Sequence, residues 1–600
     1  MRFPHVLPRP LWLAYGLLAL SLLAALLHSP YDITLTGSLW LSLFAWRLLP
    51  TRAFLSRWLV GALAFSSVIL LRALHLVWMQ LTIPGLSLFT AVFGMTLAAA
   101  APLGAVALRQ SRLSLLARPF ALLAALLLFL PPLIFWGYYA FAHACFSTDT
   151  MQAILQTNPA EALQYVRDAV PPARVPLLLF LLAAFALLLV WYSRIAALPA
   201  PTLKRGGVSL SLLCGALLLA LSSYNIYGIV AIGTARIFSA QQAFVASAPQ
   251  RLARLQGLPQ DGPPGLYVLV IGESANRLHM SAYGYARDTT PWLRQMQGTP
   301  DCLLFQHAYA NFVATLPALS YALTAQNQYE EVDAEDATTL IEAAKAAGFH
   351  TIYLSNQGKL GLYSTPLVAI ASECDEAVWL HPQQFLSKGR EEKSLHIEDS
   401  DLVSALHDIE TAPDSRTLLV LHLMGSHNTY ENRYPEDFHP FGSETLIDRY
   451  DNSIAYTDAI LRQIYDDVRQ RPDFACLVYF SDHGEAVDEG YMHNGDAYRP
   501  SMTYIPLILL ASDAYRTRSA AKWQTLAAHR DAYFTNDLIY DLMLSLMDID
   551  TGDTRPENDI ASPAYDATPA RFRTEHGAEP IVPPGAGDCA AAYLHRICTS

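Results

Sequence analysis

The feature that most constrains this chain is a series of long apolar stretches confined to its first 235 positions, beyond which the sequence reads as a soluble protein. Seven are candidate spans: Leu11–Leu27, Ile33–Leu49, Trp58–Trp78, Ile83–Leu108, Pro119–Phe141, Val175–Tyr192 and Val208–Gly228. A helix needs about 20 mostly apolar residues to cross the hydrocarbon core, and Ile33–Leu49 meets that measure least well. No small-residue cleavage site follows "LLHSPYD", so the first stretch reads as a span and not as a removable signal. Hydrophobic residues make up 52% of the chain and charged ones 16%, on the membrane side of an average globular composition. The expected organisation is a transmembrane module over 1–235 with an external loop near 143–174. Interfacial helices and the linker "PQDGPPG" follow over 236–265, then a large globular domain over 266–600.

Loop charges orient the module. Arg2 and Arg9 precede the first span, Arg47, Arg52 and Arg57 surround the turn after the second, Arg109, Arg112 and Arg118 follow the fourth, and Arg194, Lys204 and Arg205 follow the sixth. The alternate loops are poor in Lys and Arg. The positive-inside rule then places the amino terminus in the cytoplasm and, after seven crossings, the large domain outside. That compartment permits disulfides. Cys302, Cys374, Cys476, Cys589 and Cys598 lie in the domain. Cys476 falls in an apolar run and reads as a free core thiol, whereas Cys589 and Cys598 are close enough in sequence for a local bridge. None has zinc-ribbon spacing, so cysteine is not the expected metal ligand. The segment "ARIFSAQQAFVASAPQRLARLQ", with Arg251 and Arg254 beside apolar positions, suits either the membrane interface or the edge of the domain.

Within the domain, short continuous apolar runs alternate with amphipathic helices. "GLYVLVIG", "FHTIYLS", "RTLLVLHLMG", "FACLVYFS" and "IPLILLAS" read as strands, and "TLIEAAKAAG" and "LIDRYDNSIAYTDAILRQIYDDVRQ" as helices. The pattern predicts an α/β domain whose mostly parallel sheet is covered on both faces. In such sheets ligands bind beyond the carboxyl ends of the strands. Three of these ends carry metal-compatible side chains: Glu273 after "YVLVIG", His427 after "LLVLHLMG", and Asp482-His483 after "CLVYFS", with His493 shortly beyond. One Asp-His-Gly is an ordinary polar turn, but three such ends at one edge point to a metal site. Oxygen and nitrogen donors suit zinc or manganese better than calcium.

Metal ions at such sites serve phosphate-ester chemistry by activating a nucleophile and neutralising the transferring group. The segment "LLFQHAYANFVATLPALSYALT" offers one: a short strand, a turn, and a helix starting near Thr315. A hydroxyl has too high a pKa to attack unaided, so Thr315 would need metal coordination. Its ordinary role would be a helix cap.

Taken together, "VLVIGESANRLHMSAYGYARDTTPWL", "TLPALSYALT", "LHLMGSHNTYENRYP", "YDNSIAYTDAIL" and "SDHGEAVDEGYMHNG" resemble the phosphoethanolamine transferases of Gram-negative inner membranes, in the alkaline phosphatase and sulfatase superfamily. The likeness runs from Tyr267 to about Asp548. The wording "GESANRLHMSAYGY" is closer to the branch that modifies the lipopolysaccharide core than to the lipid A branch.

The resemblance implies that Glu273, Thr315, Asp482 and His483 bind a catalytic zinc ion and that Thr315 carries the phosphoethanolamine. It implies that His427 and His493 contact the transferred phosphate or a second zinc. It extends to Thr157 and Glu161, in the loop "LQTNPAEALQYV", as residues that hold the lipid donor, phosphatidylethanolamine. Lys359, in "SNQGKLG", is a candidate for reaching an anionic substrate. The domain would then be periplasmic and the acceptor a lipopolysaccharide, while nucleic acid is not an expected partner.

Two departures stand out: five spans, not three, precede the external loop, and no cysteine flanks Thr315 in "ANFVATLPALS". A sulfatase would need Cys or Ser in a C/S-x-P-x-R context, which "TLPAL" lacks. The remaining alternatives are a phosphoglycerol transferase on the same fold and an inactive membrane-anchored sensor or transport protein. The spans carry few of the midplane charges that a transport path requires.

Overall fold

The computed structural model describes residues 52–76, 84–142, 175–198, 239–260, 262–358, 366–380, 398–412, 414–493 and 498–584, with Ser42, Ala45, Ala235 and Gly495 as isolated positions. They fall into two compact units, one holding the described residues up to 198 together with Ala235 and the other those from 239 onward.

In the first unit, four helices span Arg52–Leu76, Pro84–Arg109, Ala117–Ala142 and Val175–Ser193. They match four of the expected spans to within a few residues at most ends. Among the described residues, three stretches are long and apolar enough to cross a membrane: Val92–Arg109, Ser114–Ala140 and Leu178–Ala197. The spans expected at Leu11–Leu27, Ile33–Leu49 and Val208–Gly228 lie outside the described residues.

Two of the arginines used to orient the module pack at the end of the helix Val175–Ser193 and the turn that follows it. The Arg57 guanidinium lies 4.8 Å over the Trp191 ring, and Arg109 donates to the carbonyls of Ala196 and Leu198 at 3.1 and 2.8 Å. These are the last carbonyls past a helix end, which cations satisfy well. Leu179, Phe180 and Leu187 point outward, as lipid-facing side chains do.

In the second unit the strands are β1 (Gly265–Gly272), β2 (Cys302–Phe305), β3 (His307–Tyr309), β4 (His350–Ser355), β5 (Glu376–Trp379), β6 (Arg416–His422), β7 (Phe474–Ser481), β8 (Leu507–Ala511) and β9 (Tyr533–Thr535). Seven form the main sheet in the order β2-β8-β7-β1-β6-β4-β5, while β3 and β9 pair by themselves in parallel. The pleat divides β1 between two cores. Tyr267, Leu269 and Ile271 face one, and Leu266, Val268 and Val270 face the other. Burial on both faces explains why this strand reads as a continuous apolar run.

The core strands β7, β1, β6, β4 and β5 are parallel, as the alternation with helices predicts. β8 runs antiparallel to β7 and β2 antiparallel to β8. Among the described residues no α-helix lies between β7 and β8, and the chain returns on the opposite heading. β5, whose side chains are at most partly buried, gave no apolar run to find it by.

The helices follow their caps. Leu340–Ala346 opens on a capping box of Thr339 and Glu342, and Leu446–Val468 on one of Thr445 and Asp448. Arg251, on the helix Ala248–Arg254, faces neither lipid nor water. It is fully buried and donates from Nε to both Glu342 oxygens at 3.1 and 2.9 Å. The segment is thus an edge helix of this domain at that point. Cys302, Cys374 and Cys476 are buried free thiols, as expected for Cys476, and the Cys589–Cys598 pair lies outside the described residues.

Candidate metal centre and nucleophile

Because β1, β6 and β7 are parallel neighbours, their carboxyl ends open on the same edge. Glu273 follows β1 and Asp482-His483 follows β7, and ligand atoms of these three buried residues lie within 4.8 Å of one another. His483 Nε2 stands 3.4 Å from both Glu273 Oε1 and Asp482 Oδ2. Its Nδ1 faces the Gly484 carbonyl at 3.0 Å. A carbonyl only accepts, so the proton sits on Nδ1 and the Nε2 lone pair points into the cluster, the tautomer a metal ligand needs.

Asp482 is held from one side only. Oδ1 accepts from the amides of Ser274 and His483 at 3.0 and 2.7 Å, whereas Oδ2 is buried without a hydrogen-bond partner. Ser274 makes this possible by taking a left-handed backbone, φ 58°, and its hydroxyl donates to Glu273 Oε1 at 2.7 Å. Backbone strain of this kind clusters at functional sites. Burial, and then the Asp482 charge, pushes the Glu273 carboxyl well above the ordinary range, and burial pulls His483 below its own. Two buried carboxylates, an orphaned oxygen and an inward lone pair form a donor set that a divalent cation fits.

Thr315 is the first residue of the helix Thr315–Ala322, whose N-cap is Ala314 with no side-chain bond. The Thr315 hydroxyl is therefore not spent on capping. It donates to Glu273 Oε2 at 3.1 Å and lies 3.5 Å from His483 Nε2, so the fourth residue expected at the metal joins the other three.

His427 and His493 flank this group. The His493 ring is 4.7 Å from that of His483 and 6.2 Å from that of His427. Burial opposes a charge on His493, but the Glu485 carboxylate, 2.7 Å from Nδ1, raises its pKa. His427 is the reverse case: burial, with Arg433 and the other two histidines beside it, holds its pKa well below the ordinary value. One ring favours the charged form and its neighbour the neutral one.

Thr157, Glu161 and Lys359 lie outside the described residues. Glu485 was missed by sequence reasoning although it stands in "SDHGEAV", two residues past His483; an acid inside an otherwise buried turn was the available signal. Gln357, which donates to the Leu423 carbonyl at 2.8 Å and reaches Glu273 Oε2 at 3.5 Å, gave none.

The sulfatase family profile matches residues 266–549, the span that holds every described residue of this site. The chain is 30% identical over 280 residues to the phosphoethanolamine transferase EptC of Escherichia coli K12, covering 44% of this chain and 46% of that one. Over this span the chain is similar to phosphoethanolamine transferases. To the phosphoethanolamine transferase OpgE of the same organism it is 32% identical over 253 residues, covering 41% and 45%. The matches thus span about half the length of these curated relatives. Among solved structures, the integral membrane lipooligosaccharide phosphoethanolamine transferase A of Neisseria meningitidis shares the fold, with a TM-score of 0.54. It is 19% identical, and the alignment covers 85% of this chain and 97% of that one.

Proposed function

We propose that this chain transfers phosphoethanolamine from phosphatidylethanolamine to a lipopolysaccharide acceptor, a core sugar in preference to lipid A, at the periplasmic face of a Gram-negative inner membrane. The observation that carries the reading is the Thr315 hydroxyl, free of capping duty and 3.1 Å from Glu273 within the buried cluster. Phosphoethanolamine transferases among the relatives supply the transferred group.

The reaction is two displacements at phosphorus. Thr315 Oγ1 attacks the donor, the phosphorus–oxygen bond to diacylglycerol breaks, and the phosphoethanolamine rests on Thr315. An acceptor hydroxyl then attacks the same phosphorus and the ester to Thr315 breaks. Glu273 Oε2, the acceptor of the Thr315 hydrogen bond, is placed to receive the hydroxyl proton and pass it to the departing diacylglycerol oxygen, and in the second displacement to take the acceptor's proton and return one to Thr315 Oγ1. His493, biased toward its charged form by Glu485, donates to a non-bridging phosphate oxygen, and neutral His427 orients from beside it.

Glu273, Asp482, His483 and Thr315 would hold zinc, with manganese the alternative; as the alternative to their phosphate contacts, His427 and His493 would hold a second ion. Such a cation neutralises charge on the hydroxyl and on the transferring phosphoryl group. Thr157 and Glu161 are proposed to receive the ammonium headgroup of the donor and Lys359 an anionic part of the substrate. Residues 1–235 act as the membrane module and 266–600 as the catalytic domain. Anchoring to the membrane raises the effective concentration of a lipid donor and a lipid-anchored acceptor.

The test is to incubate the full chain with phosphatidylethanolamine vesicles and digest it. The peptide bearing Thr315 should gain the mass of one phosphoethanolamine, and a Thr315→Ala variant none. An adduct formed only from phosphatidylglycerol would replace this reading with phosphoglycerol transfer.

A further inference from the structure

Thr315 and the proposed metal ligands follow strands of two different sheets. Asp482 and His483 end a strand of the main sheet, whereas the Thr315 turn leaves β3, which pairs with β9 outside that sheet and bridges Tyr504 at Tyr309. Nucleophile and ligands must nonetheless hold one geometry.

The ladder between β3 and β9 shows how. Tyr309 pairs with Thr535, so Asn311 and Asn536 emerge side by side past the carboxyl ends of the two strands. Both are fully buried. Asn536 Oδ1 accepts from the Asn311 amide at 2.7 Å and from Asn311 Nδ2 at 2.8 Å. Asn536 Nδ2 donates to the Asp482 carbonyl at 2.7 Å, with the Ser481 carbonyl at 3.4 Å. A backbone N–H on one side and a backbone carbonyl on the other fix the orientation of the amide, since a flip would set donor against donor and acceptor against acceptor. Asn311 Nδ2 extends the chain by donating to the Ala318 carbonyl at 3.0 Å, inside the helix that Thr315 begins. An unbroken line of hydrogen bonds therefore runs from Asp482 through Asn536 and Asn311 to the helix of the nucleophile.

We propose that Asn536 is a positioning residue: its amide clamps the Thr315 turn to the strand end that carries Asp482. Asn536 touches neither substrate nor reacting atoms and acts through the residues it joins. The role rests on the reading of Thr315 as nucleophile. A shift of about 1 Å in a nucleophile costs on the order of 10²-fold in rate, which sets the size of the effect.

Asn536→Asp and Asn536→Ser test it in the full-length protein. The Asp side chain keeps an acceptor for Asn311 but loses the donor to Asp482; the Ser side chain reaches neither partner. Three quantities are measured: bound zinc per chain, hydrogen exchange of the peptide containing Asn311, and kcat and KM for a fluorescent phosphatidylethanolamine in vesicles.

The clamp predicts zinc content unchanged in both variants, and loss of Asn311 protection in Asn536→Ser alone. It predicts kcat down about 10²-fold in both, with KM within about twofold. Unchanged kcat in a folded Asn536→Asp variant, or a kcat loss matched by lost zinc, overturns the proposal. So does Asn536→Ser with Asn311 still protected. If the wild type releases no diacylglycerol, the transferase reading fails instead, and the exchange data still decide whether Asn536 tethers Asn311.

Discussion

Replacing Arg251 with Met should destabilise the second unit far more than loss of a surface arginine. The guanidinium is fully buried. Beyond the two bonds to Glu342, its Nη1 donates to the Phe244 carbonyl at 2.7 Å and to Ser247 Oγ at 2.8 Å, and its face lies 4.3 Å over the Phe244 ring. Glu373 Oε1 is 3.7 Å from Nη2. Met fills much of the stem, so the cost is mainly electrostatic: the Glu342 carboxylate, 3% exposed, is left buried opposite Glu373 without its cation. Removing one partner of a buried pair costs about 3–5 kcal/mol. At about 2 °C per kcal/mol for a large domain, Tm falls by roughly 6–10 °C.

Adding Glu342→Gln removes the stranded charge while keeping an acceptor for the Thr339 amide, 3.0 Å away in the capping box. The double variant should therefore recover about 1–3 kcal/mol against the sum of the singles. Thermal denaturation of the four proteins supplies the cycle. A Tm loss under about 2 °C for Arg251→Met would place the pair with exposed ion pairs, and additive singles would refute the buried-charge reasoning.

Three further outcomes follow from the same geometry. Burial, and then the Glu342 charge, raises the Glu373 carboxyl from 4.5 to about 7. A raised folded-state pKa contributes stability that is full below about pH 4.5 and lost as pH rises through about 7. Glu373→Gln should flatten that decline, with a gain of at most about 3 kcal/mol over wild type at pH 8; a parallel pair of Tm-versus-pH curves would contradict it. Gly425→Ala should lower both Tm and zinc content, because Gly425 has φ +51° and a Cβ there would meet the Glu273 carbonyl oxygen and nitrogen at 2.8 and 2.9 Å. The left-handed backbone alone costs an alanine about 1–2 kcal/mol. Chelation of a zinc-loaded protein should lower Tm, with zinc at 100-fold above its Kd restoring about 2.7 kcal/mol; an unchanged melting curve would count against a cation at Glu273, Asp482 and His483.

The sheet and the site were legible to different depths. β1, β6 and β7 are buried on both faces, so they read as apolar runs, and the rule that ligands gather at carboxyl ends then singled out Glu273, Asp482 and His483. Thr315 followed because a strand, a turn and a helix start lie in sequence order. The antiparallel heading of β8 was hidden, since an apolar run carries no direction. Asn536 was hidden for a stronger reason. Its partners Asn311 and Asp482 are local to nothing in its own segment, and an asparagine after a short strand looks like any turn residue. Arg251 reads as one basic residue among apolar neighbours, a pattern that a membrane surface and a buried ion pair share. The roles proposed for Thr157 and Glu161 rest on resemblance, and that for Lys359 on its place in "SNQGKLG".

Mass spectrometry of lipopolysaccharide tests the central claim most directly. A Gram-negative host lacking its own phosphoethanolamine transferases would express the chain or its Thr315→Ala variant, and mild acid would separate core from lipid A. The account predicts one added phosphoethanolamine on the core fraction with the wild type and none with the variant. Equal modification by both, or no modification of either fraction by a folded, zinc-loaded wild type, would contradict it.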